Sequence, residues 1–241
     1  MMFQPVGSRE QTKYTDQLAI AIRSMFPCDC AISAECFPTT VDALFPSEME
    51  SVSKAVAVRR SEFAAGRIAA RRALAEIGRP HAEIPAGADR APRWPTGTIG
   101  SISHAGGVAV AVVAATATIK AIGIDIEIMD AVRPELWPLV LSADERHWLR
   151  RQPAAEQIRW ATAVFSAKEA FYKFQYPLTG QWLDFLDVEV RATQNSFTAS
   201  APHSPIAGLE EVFQGRLLHL ERFIVSALYW VRQRGESSSV A

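Results

Sequence analysis

Three kinds of hydrophobic pattern alternate along the chain: apolar residues three and four apart, short unbroken apolar runs, and short alternating runs. From Ser47 a helical pattern extends to Ile77, with Ser47 as cap, Glu48 and Glu50 in the first turn, and Gly78 and Pro80 ending it. Its apolar stripe reads Met49, Val52, Val56, Phe63, Ala70, Leu74, Ile77, and two gaps in it are filled by Arg59 and Arg67, four residues either side of Phe63. Arg60, Arg71 and Arg72 lie further round. The run VAVAVVAA (108–115) predicts a buried strand. AIGIDIEI (121–128) predicts another, with isoleucines 122, 124, 126 and 128 on one face and Gly123, Asp125 and Glu127 on the other. Helices are expected near 15–25, over 143–151, and over 155–174 with Pro177 as the stop. Strands are expected over 185–192, 216–223 and 224–231.

Residues 26–46, punctuated by cysteine and proline, carry no clear period, and 84–97 is a Pro- and Gly-rich loop. No internal repeat is visible, and the closing GESSSVA reads as a loose tail. Each half can supply a small sheet and a covering helix, an α+β arrangement with a boundary near 116–121.

At 241 residues and 49% hydrophobic composition, the chain can bury one larger core or two small ones. A net charge of -1 gives no general pull toward nucleic acid or membrane. Locally, residues 51–80 carry seven Lys/Arg against Glu62 and Glu76. That surplus suits an anionic ligand, and a solvated helix face equally. Cys28, Cys30 and Cys36 are an odd count without a signal peptide, which argues against a disulfide framework, and a zinc site lacks a fourth ligand nearby. With no run of transmembrane length, a cytoplasmic setting is expected.

Asp125 and Glu127, two apart on a strand, emerge on one face about 6–7 Å apart. Their repulsion costs roughly 2–3 kcal/mol at an effective dielectric near 20 unless a positive charge intervenes. A hard divalent cation is one such partner; a solvent-facing strand accommodates the pair as well. In FSAKEAFYK (165–173), Glu169 and Lys173 share a helix face with Phe165. They form either an ordinary i,i+4 salt bridge of ~0.2–0.5 kcal/mol, or a metal ligand (or base) beside a phosphate contact. Lys168 points elsewhere, toward solvent. Arg59 and Arg67 either snorkel from the stripe or meet a buried anion, and Gly66 permits a close approach. SISH (101–104), ahead of Gly106-Gly107 and a strand, sets a hydroxyl and an imidazole at a strand end. Without a G-x-S-x-G elbow, Ser103 and His104 read as phosphate-binding or structural. There is no P-loop, and His81, His147, His203 and His219 show no metal spacing.

In order and spacing, RRSEFAAGR (59–67), RAPRWPTGTIGSISH (90–104), GIDIE (123–127) and FSAKEAFYKFQYPLTGQWLDF (165–185) closely resemble the Sfp/EntD-type phosphopantetheinyl transferases. The EntD-like branch fits best, and the resemblance covers residues 44–185. It implies a monomer of two pseudo-symmetric α/β lobes, here 1–118 and 119–241, with coenzyme A in the cleft between them. It further implies magnesium-dependent (or manganese-dependent) transfer of 4′-phosphopantetheine from coenzyme A to a serine of an apo acyl or peptidyl carrier protein, releasing 3′,5′-ADP. No nucleic acid or membrane partner is implied, and siderophore biosynthesis is slightly favoured over polyketide or fatty-acid pathways. By resemblance, Asp125, Glu127 and Glu169 hold the metal, with the Ile126 carbonyl or a water completing its shell. Glu169 or a metal-bound water is the base, and Lys173 contacts the pyrophosphate. Arg59 and Arg67 match the 3′-phosphate clamp; Ser103 and His104 match phosphate contacts. The loop Ala86, Gly87, Ala88, Asp89 matches the part that wraps adenine, and Asp125 and Lys168 are counted with the coenzyme A contacts. Relatives often carry lysine where this chain has Ala86; either Arg90 supplies that charge or the nucleotide is held less tightly. Two other classes use similar parts. A magnesium nuclease needs an acidic-x-Lys element, which does not follow Asp125; a non-catalytic carrier-binding module would tolerate Glu169→Ala.

Overall fold

The computed structural model of the chain describes residues 8–202 and 212–233; His203, GESSSVA and the opening residues lie outside them. The chain divides into two compact units, one ending at Ile122 and taking in the chain again from Trp230, the other Gly123–Tyr229.

The first unit opens with helix α1 (Ser8–Arg23) and strand β1 (Ala31–Cys36), then helices α2 (Pro46–Val52) and α3 (Ala57–Glu76), and a hairpin of β2 (Thr98–Ala105) and β3 (Val108–Ala115). The three strands form an antiparallel sheet in the order β1-β3-β2, with Ala34 opposite Val110 and Ser103 opposite the same residue from the other side. An alanine face on α3 (Ala69, Ala70, Ala73) and Leu74 pack on Ala31, Ala111 and Val113. Small side chains let the helix approach the sheet closely. A Cβ on Gly66 would stand 3.0 Å from the Ile102 side chain, so this glycine serves helix–strand packing.

The single helix expected over 47–77 is two helices. Val56, extended at the start of α3 and 73% exposed, interrupts the stripe that the sequence assigned to it. Glu48 explains the break. Instead of sitting in solvent at a helix start, it is fully buried, accepting the N–H groups of Phe45 (3.0 Å) and Ile84 (2.9 Å) and both bonds from Arg71 (2.7 Å). In one straight helix, Glu48 and Arg71 would lie about 35 Å apart at 1.5 Å per residue. Folding α2 back at 53–56 brings them into contact.

Strand β4 (Ile119–Ile128) carries the chain across the boundary into the second unit. Helices α4 (Trp137–Val140), α5 (Ala143–Leu149) and α6 (Gln157–Thr179) follow, then β5 (Glu189–Ala192), β6 (Ser196–Ser200), β7 (Phe213–His219) and β8 (Phe223–Val231). The sheet runs β4-β8-β7-β6-β5. Ser142 caps α5 by accepting the Glu145 N–H at 3.2 Å, while Glu145 accepts that of Ser142 at 2.7 Å.

Pro177 does not end α6. It sits exposed in the last turn, where its missing N–H costs one helical bond, and the stop is Gly180 in the left-handed region (φ 64°), whose N–H reaches Tyr176 O at 2.8 Å. The strand expected from 185 starts at Glu189, because Asp184 caps a 3-10 turn at Phe185–Asp187. Strands β1, β2 and β6 had no counterpart among the expected elements.

The two units repeat one internal plan: a strand, one short helix in the first unit and two in the second, a long helix, then closing strands, with the first strand bonded to the last and the last to the one before it. The repeat is geometric, which is why no sequence repeat shows.

Candidate active site

The second unit gathers its acidic side chains where β4 lies hard against α6. A Cβ on Gly123 would stand 2.0 Å from the Ala170 carbonyl oxygen and 2.9 Å from Phe174 Cβ, so strand and helix touch backbone to backbone there. Two residues on, Asp125 is buried, and Lys173 Nζ stands 2.7 Å from its Oδ1 and 3.9 Å from Glu169 Oε2. Glu127, two further along the same strand face, acts on the same charges. Ile122, Ile124 and Ile126 are buried on the opposite face, while Ile128 is partly exposed.

The electrostatics show an excess of carboxylate. Burial, then repulsion by Asp125, pushes the Glu127 carboxyl up to about 8, with Lys173 opposing and Glu169 adding. Burial also raises Glu169, again against Lys173. Burial alone would lower the Lys173 ammonium, but Asp125, Glu169 and Glu127 outweigh it and hold its pKa up. Three carboxylates around one ammonium leave a charge of −2 when all are ionised, and hard oxygen donors in that balance fit one divalent cation such as Mg²⁺. Among the described residues, no group of three metal-ligating side chains stands in binding geometry as the side chains lie. Lys173 engages Asp125 instead, and binding by all three carboxylates requires it to swing away on its four-carbon stem.

The sign of the resulting pH dependence is fixed. Glu127 titrates at about 8 in the folded chain against an ordinary 4.5. The metal-free fold therefore binds the extra proton and loses stability as pH rises between those values. A divalent cation held by these carboxylates would remove that loss, so the rise in Tm at saturating Mg²⁺ should be larger at pH 8.5 than at pH 6 by thermal-shift measurement. Equal shifts would contradict the site.

Beside Glu169 lies a mainly apolar pocket of about 300 Å³, walled by Tyr172, Leu183 and Phe185 with Trp182, 75% exposed, at its rim. Phe165 packs on Phe185 at 5.2 Å and Tyr172 on Trp182 at 5.3 Å. Lys168 is not solvated. It is 1% exposed, 2.7 Å from Glu145 Oε2, and donates to Phe185 O at 2.8 Å. One residue from Glu169 is a 100° rotation about the helix, which turns Lys168 inward toward α5.

In the first unit, Arg59 Nη1 lies 2.6 Å from His104 Nε2 and 3.2 Å from Glu62. Arginine only donates, so His104 accepts there as a neutral imidazole. Arg67 is buried, donating to Ile84 O at 2.6 Å with its guanidinium 4.0 Å over Phe63. Burial lowers its pKa to about 10, with Glu48 opposing and Arg71 and Arg59 adding. Ser103 is buried in β2, one residue before His104. Ala86 forms an isolated bridge with Pro92, Gly87 N–H bonds Ala91 O, and Gly87 O accepts from Arg90, which is exposed at φ 66°. Ala88 is exposed, and Asp89 accepts the Ala91 N–H and pairs with Arg93. Arg93 is thus the base tied into this loop, a residue that sequence reasoning passed over. Glu145 was passed over too, and Glu48 was read only as a first-turn acid, although each sits three residues after a helix cap and 23 before a base.

Two family descriptions match the sequence: a 4′-phosphopantetheinyl transferase N-terminal domain over residues 47–114, and the 4′-phosphopantetheinyl transferase superfamily over 121–225. The 4′-phosphopantetheinyl transferase Svp of Streptomyces mobaraensis is 36% identical over 194 residues, 78% of this chain and 79% of that protein. The chain belongs to the 4′-phosphopantetheinyl transferase family. Enterobactin synthase component D of Salmonella typhi is 37% identical over 134 residues, 55% of each protein. Among solved structures, the holo-[acyl-carrier-protein] synthase of Thermotoga maritima is 22% identical with a TM-score of 0.37, over 48% of this chain and 65% of that one. Transferases of this family move phosphopantetheine from coenzyme A to a carrier protein.

Proposed function

We propose that this transferase moves 4′-phosphopantetheine from coenzyme A to a serine hydroxyl of an apo acyl or peptidyl carrier protein, with Mg²⁺ and with 3′,5′-ADP as the leaving product. The observation that carries the assignment is the crowding of Asp125, Glu127 and Glu169 about Lys173, with Glu127 held up at about 8. These three carboxylates would hold the cation, which when bound offsets negative charge on the pyrophosphate.

The remaining roles fall to the chain's own side chains. Lys173, released from Asp125, faces a pyrophosphate oxygen. Glu169, a carboxylate raised toward neutrality, takes the serine proton. The apolar pocket beside it receives the pantetheine arm. Arg59 with His104, and Arg67 with Ser103, meet phosphates, while the loop from Ala86 to Arg90 lies against adenine. The exposed Cys28 and the buried Cys30 and Cys36 are all free thiols, in keeping with a cytoplasmic setting. Relatives named enterobactin synthase component D make siderophore carriers the first acceptors to test.

Product analysis tests the reaction. One 3′,5′-ADP should appear for each carrier modified; nicking of DNA without 3′,5′-ADP would favour a nuclease. Arg59, half-exposed and free to turn from His104, should act on binding. Arg59→Ala is expected to raise KM for coenzyme A about tenfold with kcat little changed, the loss of one charge-assisted contact. With 3′-dephospho-coenzyme A as donor, the variant and the parent should have similar KM values. A tenfold difference there too would remove Arg59 from the 3′-phosphate.

A further inference from the structure

We propose that Lys168 is a positioning residue for the transfer: its buried ion pair with Glu145 sets where α6 presents Glu169, and its own ammonium does not touch coenzyme A. The inference rests on the reading of Glu169 as a site residue.

The ammonium is committed within the fold, to Glu145 Oε2 at 2.7 Å and the Phe185 carbonyl at 2.8 Å. The Glu145 carboxylate is equally occupied, accepting the N–H groups of Ser142 (2.7 Å) and Val190 (2.8 Å). One ion pair therefore ties the start of α5, strand β5 and the Phe185–Asp187 turn to α6, one residue before Glu169. Phe185 also walls the pocket beside Glu169, so the same bonds fix the distance from the helix to that wall. A helix transmits such a constraint with little loss, since neighbouring residues are rigidly related by 1.5 Å and 100°. A well-packed apolar pair would hold the fold as firmly as a buried ion pair. It would not impose the directions that four charge-assisted bonds impose.

The first unit holds a twin. Glu48 and Arg71 are also 23 residues apart, and Glu48 likewise accepts an N-terminal helix N–H and a distant backbone N–H, that of Ile84. The residue after each base differs in its use. Arg72 closes an ion pair with Glu35 on β1, whereas Glu169 faces Lys173 beside Asp125 on β4. The clamp is thus a device of the repeated plan, and only in the second unit does it stand next to the acidic cluster.

The test is a double-mutant cycle on the full chain with Glu145→Gln and Lys168→Met, which keep side-chain size. The double variant is expected to fold, with kcat reduced at least about tenfold and KM for coenzyme A within about threefold, as for a misplaced group remote from the ligand. It should be no worse in kcat than the poorer single variant, because the pair acts as a unit. The twin replacement E48Q/R71M is the stability control: a similar fall in Tm, with kcat at saturating coenzyme A within about threefold. A drop in Tm with unchanged kcat for E145Q/K168M would overturn the proposal, leaving a purely structural pair. A raised KM with unchanged kcat would overturn it differently, making Lys168 a ligand contact. If the double variant is not recovered folded, Lys168→Arg decides: it keeps the charge but changes the bond geometry, and unaltered kcat would refute positioning. None of these outcomes bears on Glu169 itself, whose own replacement tests the underlying site.

Discussion

Glu169→Ala should abolish carrier modification, lowering kcat by roughly 10³-fold or more, while leaving Tm of the metal-free chain unchanged or slightly higher. The activity loss follows from its double duty in the proposed reaction, as cation ligand and as acceptor of the serine proton. The stability expectation follows from its surroundings. The side chain is 29% exposed and lines a pocket, so truncation opens no sealed cavity. It also removes one of the charges that push Glu127 up, relieving repulsion in the absence of metal. Steady-state transfer assays beside thermal melts separate the two effects. Normal turnover by the folded variant would remove Glu169 from both roles.

Gly123→Val should be the most damaging single change outside the acidic side chains. Its Cβ would fall 2.0 Å from a helix carbonyl oxygen, and the obstacle is backbone, with no rotamer to move aside. β4 and α6 would have to separate, carrying Asp125 away from Lys173. A cost of at least about 3 kcal/mol is expected, at the upper end of what overpacking exacts. That corresponds to a fall in Tm of roughly 6–12 °C for a chain of this size, with little transfer activity in what remains folded. Gly180→Ala is the comparison. Nothing lies within 4 Å of its added Cβ, and only the left-handed backbone resists, so about 1 kcal/mol and near-normal kcat are expected. Equal melting temperatures for the two variants would refute the backbone contact.

The acidic site was legible because it obeys local periods. Strand alternation put Asp125 and Glu127 on one face, and helical spacing put Glu169 and Lys173 on another, so only the meeting of strand and helix had to be supplied by the fold. The same holds for β3 and for the outline of α6. What escaped depends on contacts distant in sequence. The break after Val52 is dictated by Glu48 reaching Arg71 and Ile84, and a pattern of apolar positions cannot register a buried carboxylate as an anchor. Lys168 was misread for the same reason: only its pairing with Glu145 explains a lysine in the interior. Pro177 misled because the stop it suggested lay within a turn of the true one at Gly180, where a missing N–H is cheap. Strands β1, β2 and β6 are short or built from small and polar residues, and their pairing partners, rather than their own sequences, hold them extended.

The most direct test of the account is the intact mass of an apo carrier protein after incubation with the full chain, coenzyme A and Mg²⁺. The account predicts a gain equal to one phosphopantetheine per carrier, absent when the divalent cation is chelated and absent with Glu169→Ala. Unchanged mass across siderophore, polyketide and fatty-acid carriers, or a gain that persists in chelator, would contradict it.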